Sequence, residues 1–341
     1  MPNRKAAAKS PKSSPGRSGA PGGLVLGIDL GATKVVSALL DESGKVIHHS
    51  GRHLHENDGP GGVIATVVRS ARTCLDVVPN PPIAIGVAVA AQVNPRTGTV
   101  IHAPNLRWRD VALGRRLEDE IGGPVHVVND ARAATYAEWR LGAGRGYDDL
   151  FYLALGTGVG GSAVFEGRLV EGGTHAAGEV GHVTIVSGGR RCHCPNWGCL
   201  EAYVGGWAIA ERAREAIAGD PDAGRAMVER AGSITAVTAE TVFRAYRGGD
   251  ALARRIVRET ERFLTDGTVG IVNAFNPSVL VLGGGLIAGM PEFVPAVESA
   301  VRARCQPPAS GARVTAARFT EDAAMVGAAA LARSAVGRRR Y

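Results

Sequence analysis

Apolar residues in this chain form short runs that end at glycines, and this pattern predicts strands followed by turns. Residues 24–30 are the first apolar run, and residues 34–40 are a second run rich in β-branched residues. Residues 41–44 predict a hairpin turn before a third short run, residues 45–49. The chain therefore opens with two or three antiparallel strands.

The same arrangement returns near the middle of the chain. Residues 151–155 predict a strand that runs into a glycine-rich turn, and residues 162–165 predict the next strand. Strand, glycine turn and strand thus occur near residues 24–40 and again near residues 150–170. This weak internal repeat indicates two domains built on one plan.

Further segments extend the pattern to an α/β chain. Continuous apolar runs predict buried strands at residues 83–89, 125–128 and 279–282. Helical spacing of apolar residues predicts a helix at residues 61–77, and good helix formers predict one at residues 131–141. Further helices are predicted at residues 207–218, 239–246 and 251–275, and a final Ala-rich helix at residues 321–335. We expect a smaller domain over residues 24–129 and a larger one over residues 130–320. The helix of residues 321–335 is expected to pack back on the smaller domain.

The positive charge of the chain lies in its tails. The 341 residues are 45% hydrophobic and 21% charged, which is typical of folded domains. Residues 1–23 hold five basic residues and almost no large apolar one, so we expect a disordered basic tail. Residues 336–341 are a second basic tail. Without the basic residues of both tails, the net charge of +7 becomes −1 for residues 24–337, which argues against a nucleic-acid partner.

Other features bear on location and on the cysteines. No stretch reaches the roughly 18 consecutive apolar residues of a membrane span, and the N-terminus lacks the apolar core of a secretory signal. We therefore expect a cytoplasmic protein with no membrane partner. Three of the five cysteines lie within eight positions. In a cytoplasmic chain, such clustering favours a metal over disulfides.

The first glycine turn carries residues suited to a phosphate group. A strand delivers Asp29 to a turn where Gly31 leaves room for an anion, and the Thr33 hydroxyl and backbone N–H groups can face it. Asp29 would hold the metal-bound end of the phosphate, because like charges repel. A plain hairpin also explains Gly31, and Asp29 could be a turn former.

Two later glycine turns are further ligand candidates. The segment of residues 156–161 contains four glycines, whereas a hairpin needs only one or two, so close approach of a phosphate explains it better. It is neither a dinucleotide fingerprint, because no helix follows directly, nor a Walker loop, because Lys-Ser/Thr is missing. The third turn contains Gly283, Gly284 and Gly285. It could accept a flat base or ribose, or form a tight strand-to-helix turn.

Asn129 and Asp130 lie between a predicted strand and a predicted helix. Phosphoryl transfer to an alcohol requires a carboxylate near the attacking hydroxyl. Asp130, where one domain meets the next, is a candidate for that base. For an isolated Asn-Asp pair, an N-capping aspartate is the alternative.

His182, Cys192, Cys194 and Cys199 form a pattern typical of zinc. One imidazole and three thiolates make a tetrahedral site, and four protein ligands leave no open position for water. We therefore predict a structural Zn²⁺. His193, next to Cys192, should point away from the ion.

In their order along the chain, these motifs resemble those of the ROK family of bacterial sugar kinases and sugar-responsive repressors. The family belongs to the actin/Hsp70/hexokinase superfamily, and the resemblance runs from residue 24 to about residue 335. It implies an α/β fold of two ribonuclease-H-like (actin-like ATPase) domains with a cleft between them. It also implies ATP and Mg²⁺ as cofactors, a small-molecule sugar as partner, and a homo-oligomer, either a dimer or a tetramer.

The resemblance also implies roles for the residues. The first phosphate loop would contain Asp29, Gly31, Thr33 and Lys34, the second would contain Gly156, Thr157 and Gly158, and the adenosine would lie against Gly283, Gly284 and Gly285. Asp130 would be the catalytic base, and Asn129 would hold a sugar hydroxyl. One ring nitrogen of His182 would bind zinc while the other contacts the sugar. The remaining sugar contacts would come from Asn105, Glu179 and Glu201.

Two single residues and one short segment depart from the family pattern. Ala32 stands where a second glycine is frequent, and Pro195 replaces the glycine after the second cysteine of the cluster. Residues 90–94 replace a Pro-Gly loop that lies near the sugar in relatives, so the exact hexose stays open.

The predicted function is ATP-dependent transfer of the γ-phosphoryl group to a hexose, with glucose to glucose 6-phosphate as the first expectation. Mannose, fructose, N-acetylglucosamine and N-acetylmannosamine are alternative acceptors, and polyphosphate is an alternative donor. A non-catalytic sugar sensor or regulator is the other alternative. ROK repressors carry a helix-turn-helix before this body, and residues 1–23 are too short and too rich in proline and glycine for one.

Overall fold

The computed structural model describes residues 23–56 and 59–338. The predicted disordered tail therefore lies outside the described residues, apart from Gly23. The strands are β1 (Val25–Leu30), β2 (Lys34–Leu40), β3 (Val46–Leu54), β4 (Ile85–Val89), β5 (Gln92–Asn94), β6 (Thr99–Ala103), β7 (Trp108–Val111), β8 (Val125–Asn129), β9 (Leu150–Leu155), β10 (Val159–Phe165), β11 (Arg168–Leu169), β12 (Val279–Gly283) and β13 (Arg313–Ala316).

The helices surround these strands. They are α1 (Pro60–Leu75), α2 (Leu113–Ile121), α3 (Asp130–Leu141), α4 (Glu201–Val204), α5 (Gly206–Gly219), α6 (Arg225–Ala231), α7 (Ala239–Arg247), α8 (Ala251–Phe275), α9 (Gly285–Gly289), α10 (Phe293–Arg304) and α11 (Ala323–Arg338). Short 3₁₀ turns at Pro104–Leu106 and Val180–His182 carry two of the predicted site residues. None of the described helices combines the length and the apolar character that crossing a bilayer requires.

Two five-stranded sheets share one strand order. The first is β3-β2-β1-β4-β8 and the second is β11-β10-β9-β12-β13. In each sheet, a central strand pairs antiparallel on one side and parallel on the other, as β1 does with β2 and β4 and β9 does with β10 and β12. β4 and β12 are buried along their whole length, as expected when helices cover both faces of a sheet. The predicted α/β fold with two ribonuclease-H-like units is confirmed.

Helices α3 and α11 pack on each other between the sheets. α11 lies against β1 and β4, and α3 lies against β9 and β10. Small residues permit this approach, since a Cβ added at Gly327 of α11 would lie 1.6 Å from the Ala133 oxygen of α3. Because Asp130 begins α3, its side chain lies where the two sheets meet. The exact domain boundaries stay a prediction.

Several elements differ from the sequence-based expectation. Residues 90–94 were expected to form a loop, but Gln92–Asn94 is β5, which pairs with β6 in a separate three-stranded sheet. This pairing depends on residues 99–103, so no local periodicity reveals it. α11 continues to Arg338, into the predicted basic tail, where Val336 still packs against the cluster that contains Val25 and Ala84. Residues 339–341 lie outside the described part.

Candidate functional site

The first glycine turn is a tight hairpin between β1 and β2. Asp29, near the end of β1, pairs with Val36 of β2 and Ala88 of β4. The Gly31 N–H donates to the Lys34 carbonyl at 2.9 Å and closes the turn. The hairpin interpretation is therefore correct, and it does not exclude a phosphate, because Thr33 at the tip is exposed.

Asn129 caps helix α3, and this frees Asp130 for another role. The Asn129 side chain accepts a hydrogen bond from the Arg132 N–H at 3.1 Å. Asp130 occupies the first helical position, where its Oδ1 accepts bonds from the Ala131 N–H at 2.8 Å and the Asn129 Nδ2 at 3.0 Å. A carboxylate at a helix N-terminus is favoured by the helix dipole. Because Asn129 is the N-cap of the helix, the alternative of Asp130 as the N-cap is wrong.

Two carboxylates compete for protons at this junction. The pKa of Asp29 is raised to about 6, chiefly by burial and also by the neighbouring Asp130 and Asp322, while Lys34 opposes the rise. Burial also raises the pKa of Asp130, against the hydrogen bonds from Ala131 and Asn129. Crowded, partly desolvated carboxylates are unfavourable when ionised and attract a cation. The arrangement fits a divalent ion held with phosphate groups.

The ligand-free protein is expected to lose stability as the pH rises from 5 to 7.5. The pKa of Asp29 is about 6 in the folded state and 3.8 ordinarily, so the folded protein holds this proton more tightly. Its stabilisation is complete below about pH 4 and is lost as pH rises through about 6, to a total extent of about 2–3 kcal/mol. Thermal unfolding between pH 5 and 7.5 measures the upper part of this loss, about 1.4 kcal/mol.

Asp29→Asn should remove the part of this pH dependence that comes from Asp29, because an amide does not titrate. Asp119→Asn, on the exposed face of α2, is the matched control and should follow the wild-type curve. A wild-type melting temperature that is flat or rises between pH 5 and 7.5, relative to Asp29→Asn, contradicts the raised pKa.

The second and third glycine turns border one large cavity. This cavity has a volume of about 810 Å³. Gly156, Thr157 and Gly285 line it, together with Trp207 and Phe243. Further lining residues are Arg214, Thr238, Glu240, Arg244, Arg247, Leu286 and Gly289. Aromatic and apolar walls beside glycine backbone suit a nucleoside.

The glycines of these turns serve two different purposes. A Cβ added at Gly156 or Gly285 would meet nothing within 4 Å, so packing does not require glycine there and a ligand can approach. In contrast, a Cβ at Gly283 would lie 2.3 Å from the Tyr152 hydroxyl. Gly284 has a φ of 91° and forms the start of α9. The tight strand-to-helix turn is thus confirmed at Gly283 and Gly284, and the binding of a base or ribose beside Gly285 stays a prediction.

His182 and three cysteines come together as a cluster. Their ligand atoms all lie within 4.8 Å of one another. The Cys194 and Cys199 sulfurs are 3.7 Å apart, and the Cys192 sulfur is 3.6 Å from His182 Nδ1. A Zn–S distance of about 2.3 Å separates two sulfurs of a tetrahedron by about 3.8 Å, so these spacings fit zinc.

The environment of the cluster also fits a cation. Without a metal, burial and the neighbouring thiols raise the pKa of Cys199 to about 12. A bound cation offsets this cost by favouring thiolates. Pro195 does not disturb the turn, because the Cys192 N–H donates across it to the Asn196 carbonyl at 3.1 Å.

Two of the predicted sugar contacts, Glu179 and Glu201, lie next to this cluster. His182 turns Nδ1 toward the cysteines, which leaves Nε2 on the far side of the ring. Glu179 and Asn105 are exposed. The turn that carries Glu179 and His182 presses on β10, since a Cβ at Gly181 would lie 2.0 Å from the Val159 oxygen. The turn that carries His182 therefore contacts the start of β10, directly after the second glycine turn.

Glu201 makes contacts that the sequence did not indicate. Its Oε2 accepts the Val159 N–H at 2.8 Å, and its Oε1 accepts the Trp207 indole N–H at 3.2 Å. Both oxygens are thus engaged with protein groups, although each keeps a lone pair. Glu201 thus lies between the metal cluster and the second glycine turn and contacts both.

Three other residues of the site escaped sequence reasoning. Trp207 lines the cavity, and Asp322 comes close enough to Asp29 to raise its pKa. His55 is 8% exposed, and its Nε2 lies 3.1 Å from the Gly31 carbonyl of the first turn. Each reaches the site from a distant part of the chain, so no local motif marks it.

Comparisons with known proteins agree with this geometry. The glucokinase of Streptomyces coelicolor is 32% identical over 268 residues, which are 77% of this chain and 82% of that protein. A ROK family glucokinase from Streptomyces griseus, in complex with glucose and AMPPNP, is 30% identical with a TM-score of 0.81, covering 92% of this chain and all of that one (100%).

Repressors are also among the relatives. The xylose repressor of Caldicellulosiruptor bescii is 26% identical over 264 residues, which are 76% of this chain and 65% of the repressor. The model of the ROK family matches residues 25–335. Because this match covers most of the chain, the chain belongs to the ROK family.

Proposed function

We propose that this protein is an ATP-dependent hexose kinase and that glucose is its principal acceptor. The observation that carries the proposal is the position of Asp130 at the start of α3, between the two sheets and beside Asp29. A partly buried carboxylate of raised pKa is suited to accept a proton from an alcohol. The similarity to glucokinases favours glucose as that alcohol.

The donor would lie along the second glycine turn. The cavity beside Gly156 and Thr157 has the aromatic and apolar walls that suit adenosine, and Gly285 leaves room for the ribose or base. The first turn would face the terminal phosphates with Thr33 and Lys34. Mg²⁺ bound with these phosphates would neutralise charge that develops during transfer, and Asp29 would hold it.

The acceptor would lie between Asp130 and the metal cluster. Asn129 and Asp130 would orient the attacking hydroxyl, and Asp130 would take its proton as the oxygen attacks in line. His182 Nε2, Glu179, Glu201 and Asn105 would bind the other hydroxyls. Closure of the two domains around the substrates would exclude water, which otherwise competes for the phosphoryl group.

The four clustered residues would hold a structural zinc ion. When bound, zinc fixes the orientation of His182 and holds the loop of Cys192–Cys199 in place. With four protein ligands the shell is full, so no reaction step needs the ion. Within the cluster, the group that would act on the sugar is His182 Nε2, which would contact one of its hydroxyls.

A panel of acceptors tests the proposal and identifies the sugar. We expect Mg²⁺-dependent ATP consumption that is fastest with glucose, by at least about tenfold in kcat/KM over mannose, fructose, N-acetylglucosamine and N-acetylmannosamine. Matched reactions with polyphosphate should be slower, because the cavity walls suit a nucleoside. If another sugar reacts faster, that sugar replaces glucose as the proposed acceptor and the proposed kinase activity stands. If no sugar is turned over, the proposed kinase activity is rejected.

A sugar-binding regulator is the competing function, because xylose repressors share this body. The two functions differ at Asp130, since binding of a sugar needs no base. The intact set of Asp29, Thr33, Lys34 and the nucleoside-sized cavity favours the kinase. Sugar binding without any effect of ATP or turnover would favour the regulator.

A further inference from the structure

Trp207 connects the metal cluster with the cavity. Its backbone N–H donates to the Thr157 carbonyl at 3.1 Å, in the second glycine turn. Its indole N–H donates to Glu201 Oε1 at 3.2 Å. Since Trp207 also lines the cavity beside Gly156, its orientation helps to define the shape of the wall.

His193 covers one face of this indole. The two ring centroids are 3.8 Å apart, and the planes differ by 18°. His193 stands between Cys192 and Cys194, yet it is not one of the four clustered residues. The sequence-based expectation that its ring points away from the metal is thus met by a specific contact. Stacked aromatic rings attract and limit each other's rotation.

Glu201 holds the same indole by its edge. Its second oxygen accepts the Val159 N–H, and a Cβ added at Gly158 would lie 2.5 Å from that oxygen. The carboxylate therefore fills the space beneath the glycine turn. Its Oε1 is 3.9 Å from the Cys192 sulfur. Face and edge of Trp207 are both held by residues of the metal loop or next to it.

We propose that His193 is a positioning residue for the phosphate donor, which acts by stacking on Trp207 in the wall of the cavity. The inference rests on the proposed function, because it takes this cavity as the donor site. The metal cluster then supports both substrates, the sugar through His182 and the nucleotide through His193. Removal of the stack leaves the indole held by its edge but unsupported on one face, and this weakens donor binding.

The test compares His193→Ala and His193→Phe with the wild type, each as the full chain saturated with Zn²⁺. Calorimetry with AMPPNP and Mg²⁺ should show a Kd about three- to tenfold higher for His193→Ala, the range of one aromatic pair. His193→Phe should bind like the wild type, because its ring can stack. In turnover, KM for ATP should rise by the same factor, while kcat and the Kd for sugar should not change.

Arg191→Ala is the matched control from the same loop. The Arg191 guanidinium lies 5.4 Å from the Trp197 ring centroid, and neither residue lines the cavity. Its loss should leave the affinity for AMPPNP and the zinc content unchanged. Zinc content is measured on every variant, since His193 neighbours two of the proposed ligands.

Each alternative result has a distinct meaning. Equal AMPPNP affinity in His193→Ala and wild type overturns the role of His193 and leaves the proposed function intact. Equal losses in His193→Ala and His193→Phe, or loss of zinc in His193→Ala, also overturn it, because stacking then is not the cause. A wild-type protein that binds no nucleotide overturns the proposed function and this role together.

Discussion

Asp130→Asn is expected to lower kcat at least ~100-fold while the affinity for the sugar stays nearly unchanged, the range for loss of a general base. The substitution keeps an oxygen that can accept the Ala131 N–H, so the start of α3 should be preserved. Asn129 remains the cap of the helix. What is lost is the carboxylate that accepts the proton of the attacking hydroxyl.

Steady-state rates and calorimetry separate the two effects. The variant should show low kcat at saturating ATP and sugar, with a sugar Kd within about threefold of the wild type, because uniform binding is not affected. Asp119→Asn on α2 is the control for loss of one exposed carboxylate and should keep full activity. Turnover of Asp130→Asn within tenfold of the wild type removes Asp130 from the role of base.

Cys194→Ser is expected to release the metal and weaken sugar binding at least about tenfold. A serine hydroxyl is not ionised at neutral pH and is a poor substitute for a thiolate, so the tetrahedral site loses one ligand. Without the ion, Cys192 and Cys199 stay as buried thiols, whose pKa values burial raises. His182 then loses the partner that sets the direction of its ring.

Metal analysis and calorimetry measure this loss. Wild-type protein should contain about one zinc ion per chain and the variant close to none. Cys305→Ser is the matched control, because Cys305 is also buried, its sulfur donates to the Val269 carbonyl, and it is not one of the four clustered residues. A wild type without zinc, or a variant with full zinc and unchanged sugar Kd, contradicts the structural role of the cluster.

The sequence predicted the parts of the fold that local pattern determines. Helix α8 begins and ends where its signals lie, since Asp250 caps it by accepting the Ala253 N–H and Pro277 follows its last turn. The repeated strand, glycine turn and strand predicted two equivalent sheets. The β5–β7 sheet was missed because short strands take their identity from partners rather than from periodicity. Helix α10 is not among the predicted helices, and it carries Pro295 in its first turn, where a proline is tolerated although helix interiors exclude it.

Some residues of the candidate site could likewise be predicted from local sequence, and others could not. The four clustered residues could be predicted because zinc needs a fixed set of side chains at short spacing, and the structure brings them together. The stack of His193 on Trp207 could not, because nothing in either local sequence indicates the other. Glu201 shows a further limit, since its motif suggests a sugar contact while its oxygens already bond Val159 and Trp207.

Phosphoryl transfer itself tests the central claim most directly. Wild-type protein, Mg²⁺, ATP and glucose are followed by ³¹P NMR, with Asp130→Asn in parallel. We predict a phosphomonoester signal of glucose 6-phosphate that grows in step with ADP and is absent in the variant over the same time. Release of ADP with inorganic phosphate alone, or an equal sugar phosphate signal from Asp130→Asn, would contradict the account.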